Sequence, residues 1–123
     1  MIENVISKRY AKALSSSISD EGILKHALES LKIFGDAIES DRQLERFFSH
    51  PGISETKKIG LVGELCDRLK VENVVRNLLT MLTQRRKVLF LRNIAGYFEA
   101  VVNERLNQVR VHVKSAHPLS NEN

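Results

Sequence analysis

The stretch VENVVRNLLTMLTQRRKVLFLRNIAGYFEAVVNERL, residues 71–106, decides the fold. Apolar residues recur in it every three or four positions, so each half has one apolar face when it is wound as an α-helix. The first half contributes Val71, Val74, Val75, Leu78, Leu79 and Leu82, and the second contributes Leu91, Ile94, Ala95, Phe98, Val101, Val102 and Leu106. Helices this apolar need neighbours to pack against. The stretch therefore predicts two consecutive helices of a bundle.

The two predicted helices are separated by the basic segment Gln84-Arg85-Arg86-Lys87. Cationic side chains are favoured at a helix C-terminus because the helix dipole places partial negative charge there. We interpret this segment as the end of the first helix and the joint to the second.

The apolar face of the first predicted helix is wider than one neighbouring helix requires. At about 100° per residue, Val74 and Leu79 lie at its opposite edges. Met81 lies just beyond the Val74 edge, and Asn77 lies beyond Met81. Two explanations stay open: a central helix contacted on both sides by its own bundle, or a groove in which Val74, Asn77 and Met81 help to hold a partner helix. Methionine suits a groove because its side chain is flexible and polarizable.

Four further helices are predicted before this stretch. The first covers about residues 4–18 and shares one face among Ile6, Tyr10, Ala13, Leu14 and Ile18. Asp20 is a suitable N-cap for the second helix, which ends near Glu39. Ser40 opens a short third helix, which Pro51 stops, and Ser54 caps the fourth. The prediction is an all-α fold, a compact six-helix bundle over residues 1–107.

The pattern changes after Asn107. Val109, Val111 and Val113 alternate with polar residues, and this period of two is typical of a β-strand. A lone strand leaves its backbone groups unpaired and its apolar face uncovered. We therefore expect residues 108–123 to be a strand-like tail, the truncated start of a missing second domain, and to be mobile or paired with a neighbouring molecule.

Composition excludes several classes of protein. Hydrophobic residues make up 42% and charged residues 28% of 123 residues, which suits one soluble domain. The net charge of +4 is mild for a nucleic-acid binder, and no run approaches the ~18 apolar residues of a membrane span. The first residues do not form a secretory signal. We predict a cytoplasmic, bacterial protein with no nucleic-acid partner and no direct membrane insertion.

Residues able to perform chemistry are scattered. The histidines are His26, His50, His112 and His117, and no pair has a metal-ligand spacing. The single Cys66 falls on an apolar helical stripe and is predicted to be a small core residue. The sequence therefore predicts no catalytic residue, no metal site and no cofactor.

Five short segments carry a resemblance to a known family. They are Arg9-Tyr10-Ala11-Lys12-Ala13-Leu14, residues 47–54 followed by Lys57 and Lys58, residues 77–82, Phe98 with Asn103-Glu104, and residues 113–120. Each is weak alone, but the five occur in the right order and spacing. On these segments the chain resembles the delta subunit of bacterial F-type ATP synthase, the counterpart of the mitochondrial oligomycin-sensitivity-conferring protein. It departs from the family pattern at Lys87-Val88 and Leu106-Asn107.

The resemblance implies a non-catalytic stator subunit. In this family an N-terminal six-helix bundle binds the N-terminal helix of an F1 α subunit, and a C-terminal domain holds the b subunits of the peripheral stalk. The complex makes ATP from a proton gradient, and in bacteria the subunit lies on the cytoplasmic face of the plasma membrane. The family's α-binding groove lies between helices one and five, which here corresponds to Tyr10, Ala13, Leu14, Val74, Asn77, Leu78 and Met81.

Two other functions stay open at this point. A helical RNA-binding bundle would contact phosphates through Arg85, Arg86, Lys87 and Arg92, with help from Lys8, Arg9 and Lys12. An adaptor bundle unrelated to ATP synthase is the second, and only the family motifs argue against it.

Overall fold

A computed structural model describes the backbone of residues 2–116 and the side chains of residues 4–108. It contains six α-helices: α1 Ile2–Ser16, α2 Glu21–Ser40, α3 Arg42–Ser49, α4 Glu55–Leu69, α5 Asn73–Gln84 and α6 Leu91–Ala116. A 3₁₀ turn, Val88–Phe90, leads into α6. Over the described part of the chain the predicted all-α bundle is confirmed.

The last helix is the centre of the packing. Helix α6 lies mainly against α1 and α2, whereas α4 pairs chiefly with α5 and α3 bridges α2 and the 3₁₀ turn. The largest side chains with almost no exposed surface are Phe98, Leu24, Leu31, Leu82, Leu91 and Ile94. Both halves of the apolar stretch identified in the sequence therefore contribute to one core.

Two of the predicted helix caps are confirmed. The Asp20 carboxylate accepts a hydrogen bond from the Ile23 N–H (2.9 Å) at the start of α2. The Ser54 hydroxyl accepts one from the Lys57 N–H (3.2 Å) at the start of α4. Each satisfies a backbone donor that has no partner within its own helix.

The predicted cap at Ser40 is wrong. Ser40 is the last residue of α2, and Asp41 caps α3 by accepting from the N–H groups of Gln43 (3.0 Å) and Leu44 (3.3 Å). The N–H of Asp41 still donates to the Ala37 carbonyl (3.0 Å). Asp41 can therefore end one helix and start the next, which places the boundary one residue later than the sequence pattern predicts.

The core-facing side of α1 also differs from the prediction. Its buried residues are Ser7, Ala11, Leu14, Ser15 and Ile18. Ile6 and Tyr10 are half-buried, and Ala13 is exposed. Small residues at positions 7, 11 and 15 let α1 approach α6 closely, so the true core face contains polar serines that an apolar pattern cannot identify.

The predicted strand after Asn107 is wrong. The backbone of α6 continues as a helix through residues 108–116 and ends at Ala116. Val109 and Val113 alternate with polar residues, but they also continue the helical spacing of Val102 and Leu106. The longer helical period prevails because each added residue extends an existing hydrogen-bonded helix. Residues 117–123 of the predicted tail lie outside the described part.

Arg105 attaches the end of α1 to α6. Its Nη1 donates to the backbone carbonyls of Ser15 (2.7 Å) and Ile18 (2.9 Å) and to the Ser15 hydroxyl (3.2 Å). These carbonyls lie at a helix C-terminus, where a cation is also favoured by the helix dipole.

Replacing Arg105 with methionine should lower the free energy of unfolding by about 2 kcal/mol, because carbonyls that accepted from a charged donor lose it. Urea denaturation followed by circular dichroism measures the change. The same substitution at the exposed Arg42 should change stability by no more than about 0.5 kcal/mol. Equal effects at the two positions would show that the Arg105 hydrogen bonds contribute nothing specific.

Candidate partner-binding site between helices α1 and α5

Helices α1 and α5 lie side by side and run in opposite directions. Midway along α1, the Tyr10 hydroxyl accepts a hydrogen bond from Nη1 of Arg85 (2.9 Å), the residue just after the end of α5. At the other end, Ile18 and Val74 line the same surface depression. Direct packing between the two helices is light, because α1 lies mainly on α6 and α5 mainly on α4. A shallow groove, named here the α1–α5 groove, therefore runs between them.

The seven residues assigned to a groove from the sequence differ in exposure. Leu14 and Leu78 are buried at 4% and 5% exposure. Tyr10, Val74 and Met81 are half-buried, while Ala13 and Asn77 are exposed. The two leucines therefore belong to the core, and the half-buried side chains keep apolar surface accessible.

The wide apolar face of α5 is only partly covered. Its buried residues are Val75, Leu78, Leu79, Leu82 and Thr83. Val74 and Met81 pack against this core with one side and stay accessible on the other. A central position in the bundle accounts for the buried residues of α5. It does not account for Val74 and Met81, which the other described residues cover only in part.

The end of the groove beside the start of α5 widens into a depression of about 350 Å³. It is lined by Ser17, Ile18, Ser19, Asp20, Ile23, Glu72, Asn73 and Val74. Ile23 is 41% exposed although it is a large apolar side chain. Sequence reasoning missed most of these residues, because the loops before α2 and α5 meet only in the folded chain. The available signal was Ile23, which follows a helix cap and falls outside the apolar stripe of its helix.

Comparison with known proteins identifies the family. The ATP synthase delta (OSCP) subunit family matches residues 6–123. The chain belongs to this family. It is 34% identical over 119 residues to the ATP synthase subunit delta of Anaeromyxobacter sp. (strain Fw109-5) and 29% identical over 119 residues to that of Syntrophus aciditrophicus (strain SB). Both alignments cover 97% of this chain and 66% of the relative, so the chain spans just under two thirds of these delta subunits.

The position of α5 in this delta-family bundle is held by Arg76. Its Nη2 donates to the Gly63 carbonyl (2.8 Å) and to the Asp67 carboxylate, both on α4. Asp67 raises the pKa of the Arg76 guanidinium further above its ordinary value. Cys66 is buried as predicted, and burial raises the pKa of its thiol. This side of α5 is therefore occupied within the bundle, and the α1 side is the less covered one.

The basic joint after α5 is partly engaged. Arg85 is bonded to Tyr10, and Lys87 Nζ lies 5.4 Å from the centre of the Phe90 ring. Arg92 pairs with the carboxylates of Asp36 and Glu39. Of these three cations only Arg92 is therefore paired with carboxylates, so it is not free to contact RNA phosphates as the alternative hypothesis requires.

Metal-binding and membrane-spanning features are two further possibilities in the described part of this delta-family chain. No three histidine, cysteine or acidic side chains are grouped there so that they could hold a metal ion. Among its described helices, none combines the length and the apolar character needed to cross a membrane.

Proposed function

We propose that this chain acts as a non-catalytic stator subunit in the peripheral stalk of an F-type ATP synthase. The bundle binds the N-terminal helix of an F1 α subunit in the α1–α5 groove. The link to the b subunits is made C-terminal to the bundle, and the complex lies on the cytoplasmic face of the bacterial plasma membrane. Membership of the delta family and the shared name of the relatives support this assignment.

The proposed mechanism is mechanical. A stator holds the F1 head still while the rotor turns, so that proton-driven torque produces ATP instead of spinning the head. An amphipathic helix in the groove would gain roughly 25 cal/mol for each Å² of apolar area buried, before the cost of association. Under torque, slow dissociation matters more than fast association, so a well-packed apolar contact suits the role.

The observation that carries the proposal is the half-open apolar edge of the groove. Tyr10, Val74 and Met81 stand above a floor that includes the buried Leu14 and Leu78. Their spacing, on two antiparallel helices, suits the apolar face of a third helix lying along the groove.

The direct test is a calorimetric titration of the chain with a peptide of the first ~25 residues of the same organism's F1 α subunit, a length of about seven helical turns. We expect saturable one-to-one binding, with amide shifts along α1 and α5 in heteronuclear NMR spectra. A folded chain that does not bind the peptide would contradict the proposal.

Two substitutions test the groove itself. Met81→Asp and Tyr10→Asp should each weaken peptide binding about 30-fold or more, because a carboxylate must be desolvated against an apolar helix. The control is Ile33→Asp, since Ile33 is 48% exposed on α2. Circular dichroism should show unchanged helix content in all three variants. If both groove variants bind as tightly as the control, the partner helix lies elsewhere.

A further inference from the structure

The two ends of the α1–α5 groove carry opposite charges. Asp20 and Glu72 line the depression beside the start of α5. The Asp20 carboxylate keeps one oxygen free of the N-cap bond, which uses Oδ2. Glu72 makes no side-chain cap bond to α5. This end is therefore acidic.

The charged groups around Glu72 and Asp20 leave this end acidic, because one imidazole can offset at most one of the two carboxylates. His26 Nδ1 lies 2.5 Å from Glu72 Oε1, so one carboxylate oxygen faces an imidazole. On the neighbouring turn of α2, Lys25 pairs with Glu21 at 3.3 Å, which leaves that pair with no net charge. The Lys25 ammonium is thus already matched by a carboxylate of its own helix.

The opposite end of the groove is basic. Arg85 lies there, bonded to Tyr10. Arg9 is exposed and precedes Ser17, which lines the depression, by about two helical turns, so it lies on the same side of α1 as the groove. Between the two ends, the polar residues of α5 that follow Asn73 on this side are uncharged: Asn77, Thr80 and Gln84.

The separation of the two ends is large enough for each to act independently. From Val74 to Arg85 there are eleven residues, a rise of about 16 Å along α5. The electrostatic screening length at physiological salt is about 8 Å, half this distance. Each end of the groove therefore interacts with the charges on the nearest one or two turns of a bound helix. The net charge of the whole bound helix matters less.

We propose that the groove selects the direction of its partner helix by charge. It accepts a helix whose cationic end lies at Asp20 and Glu72 and whose acidic end, about three turns away, lies at Arg9 and Arg85. A reversed helix places like charges together at both ends. This inference rests on the proposed function, because it concerns the orientation of the helix that the groove binds.

Two synthetic peptides test the proposal. Both carry the apolar positions of the first ~25 residues of the same organism's F1 α subunit, again about seven helical turns. In one, lysines on an early turn are followed about three turns later by glutamates, which matches the separation of the two charged ends of the groove, and the other exchanges them. A nitroxide label is placed at the lysine end of each, and its broadening of the chain's amide signals locates that end.

We expect the lysine-end label to broaden amides around Ser17 and Ile23 in every tight complex. In only one of the two peptides does the apolar stripe fit the groove when the lysines lie at Asp20 and Glu72. The other peptide should bind about tenfold more weakly at low salt, and this difference in affinity should vanish at about 0.5 M salt. Equal affinity with the lysine-end label beside Arg85 would overturn the proposal. Failure of both peptides to bind would instead count against the groove as the α-binding site.

A double variant provides the matched control. Asp20→Asn keeps a good N-cap, and Glu72→Gln removes the second charge from a residue with no cap bond. Together they should reduce the affinity difference to about twofold or less, whereas Glu29→Gln with Glu45→Gln, both exposed, should leave it unchanged. A difference that survives in the Asp20 and Glu72 double variant would also overturn the proposal.

Discussion

Replacing Phe98 with alanine should lower the free energy of unfolding by about 3–5 kcal/mol. Phe98 has no exposed surface and lies on α6, the helix against which α1 and α2 both pack. Its ring cannot be replaced by neighbours without moving one of these helices, so most of the lost volume stays as a cavity. A loss of this size is a large fraction of the 5–15 kcal/mol that typically separates folded from unfolded domains.

Urea denaturation of the Phe98→Ala variant, followed by circular dichroism, measures this loss. The control is Phe90→Ala, which deletes the same atoms from a half-exposed ring in the 3₁₀ turn. We expect the control to lose clearly less stability, since its ring is already partly in water. Similar losses in the two variants would mean that burial on α6 does not determine the stability of the bundle.

Replacing Gly35 with leucine should destabilise the bundle by about 1–3 kcal/mol, through overpacking. Gly35 is buried on α2, and a Cβ atom there would lie 3.2 Å from the backbone Cα of Arg92 on α6. A backbone atom cannot rotate away as a side chain can, so the two helices must separate. That separation would loosen the contact between α2 and α6 along its length.

Gly96 provides the matched control for Gly35. It lies on α6, near the same junction, but a Cβ there meets no atom within 4 Å. Gly96→Leu should therefore raise stability by about 0.5–1 kcal/mol, because leucine has the higher helix propensity. Thermal and urea unfolding of both variants measure the expected loss of stability at position 35 and the expected gain at position 96. Stabilisation by leucine at position 35 would show that the helices tolerate a wider spacing.

The fold was predictable wherever one physical signal dominated. The helical spacing of apolar residues in 71–106 identified α5 and α6, and the caps at Asp20 and Ser54 were found because a short polar acceptor precedes a helical pattern. The cap at Asp41 was missed because Ser40 also satisfies the cap pattern. Only the helical hydrogen bond from the Asp41 N–H to the Ala37 carbonyl, which keeps Ser40 inside α2, decides between the two residues.

The sequence predicted residues on the helices that flank the α1–α5 groove, but not the residues that line the depression at its end. Val74 and Met81 could be placed on an exposed edge from the width of the apolar face alone, whereas Tyr10 entered only through the family resemblance. Glu72 and Ile23 lie 49 residues apart, and no pattern within a helix places them together. Such a pairing depends on how the loops before α2 and α5 meet, which is a property of the whole bundle.

The continuity of α6 has a consequence for how the bundle carries load. From Arg105 to Ala116 the helix extends for eleven residues, a rigid arm of about 16 Å. A sideways force at its far end acts as a bending moment, with no loop along this length to relax it. The moment is resisted by the packing around Phe98 and by the Arg105 bonds to α1. The same residues that stabilise the fold therefore set the stiffness of this arm.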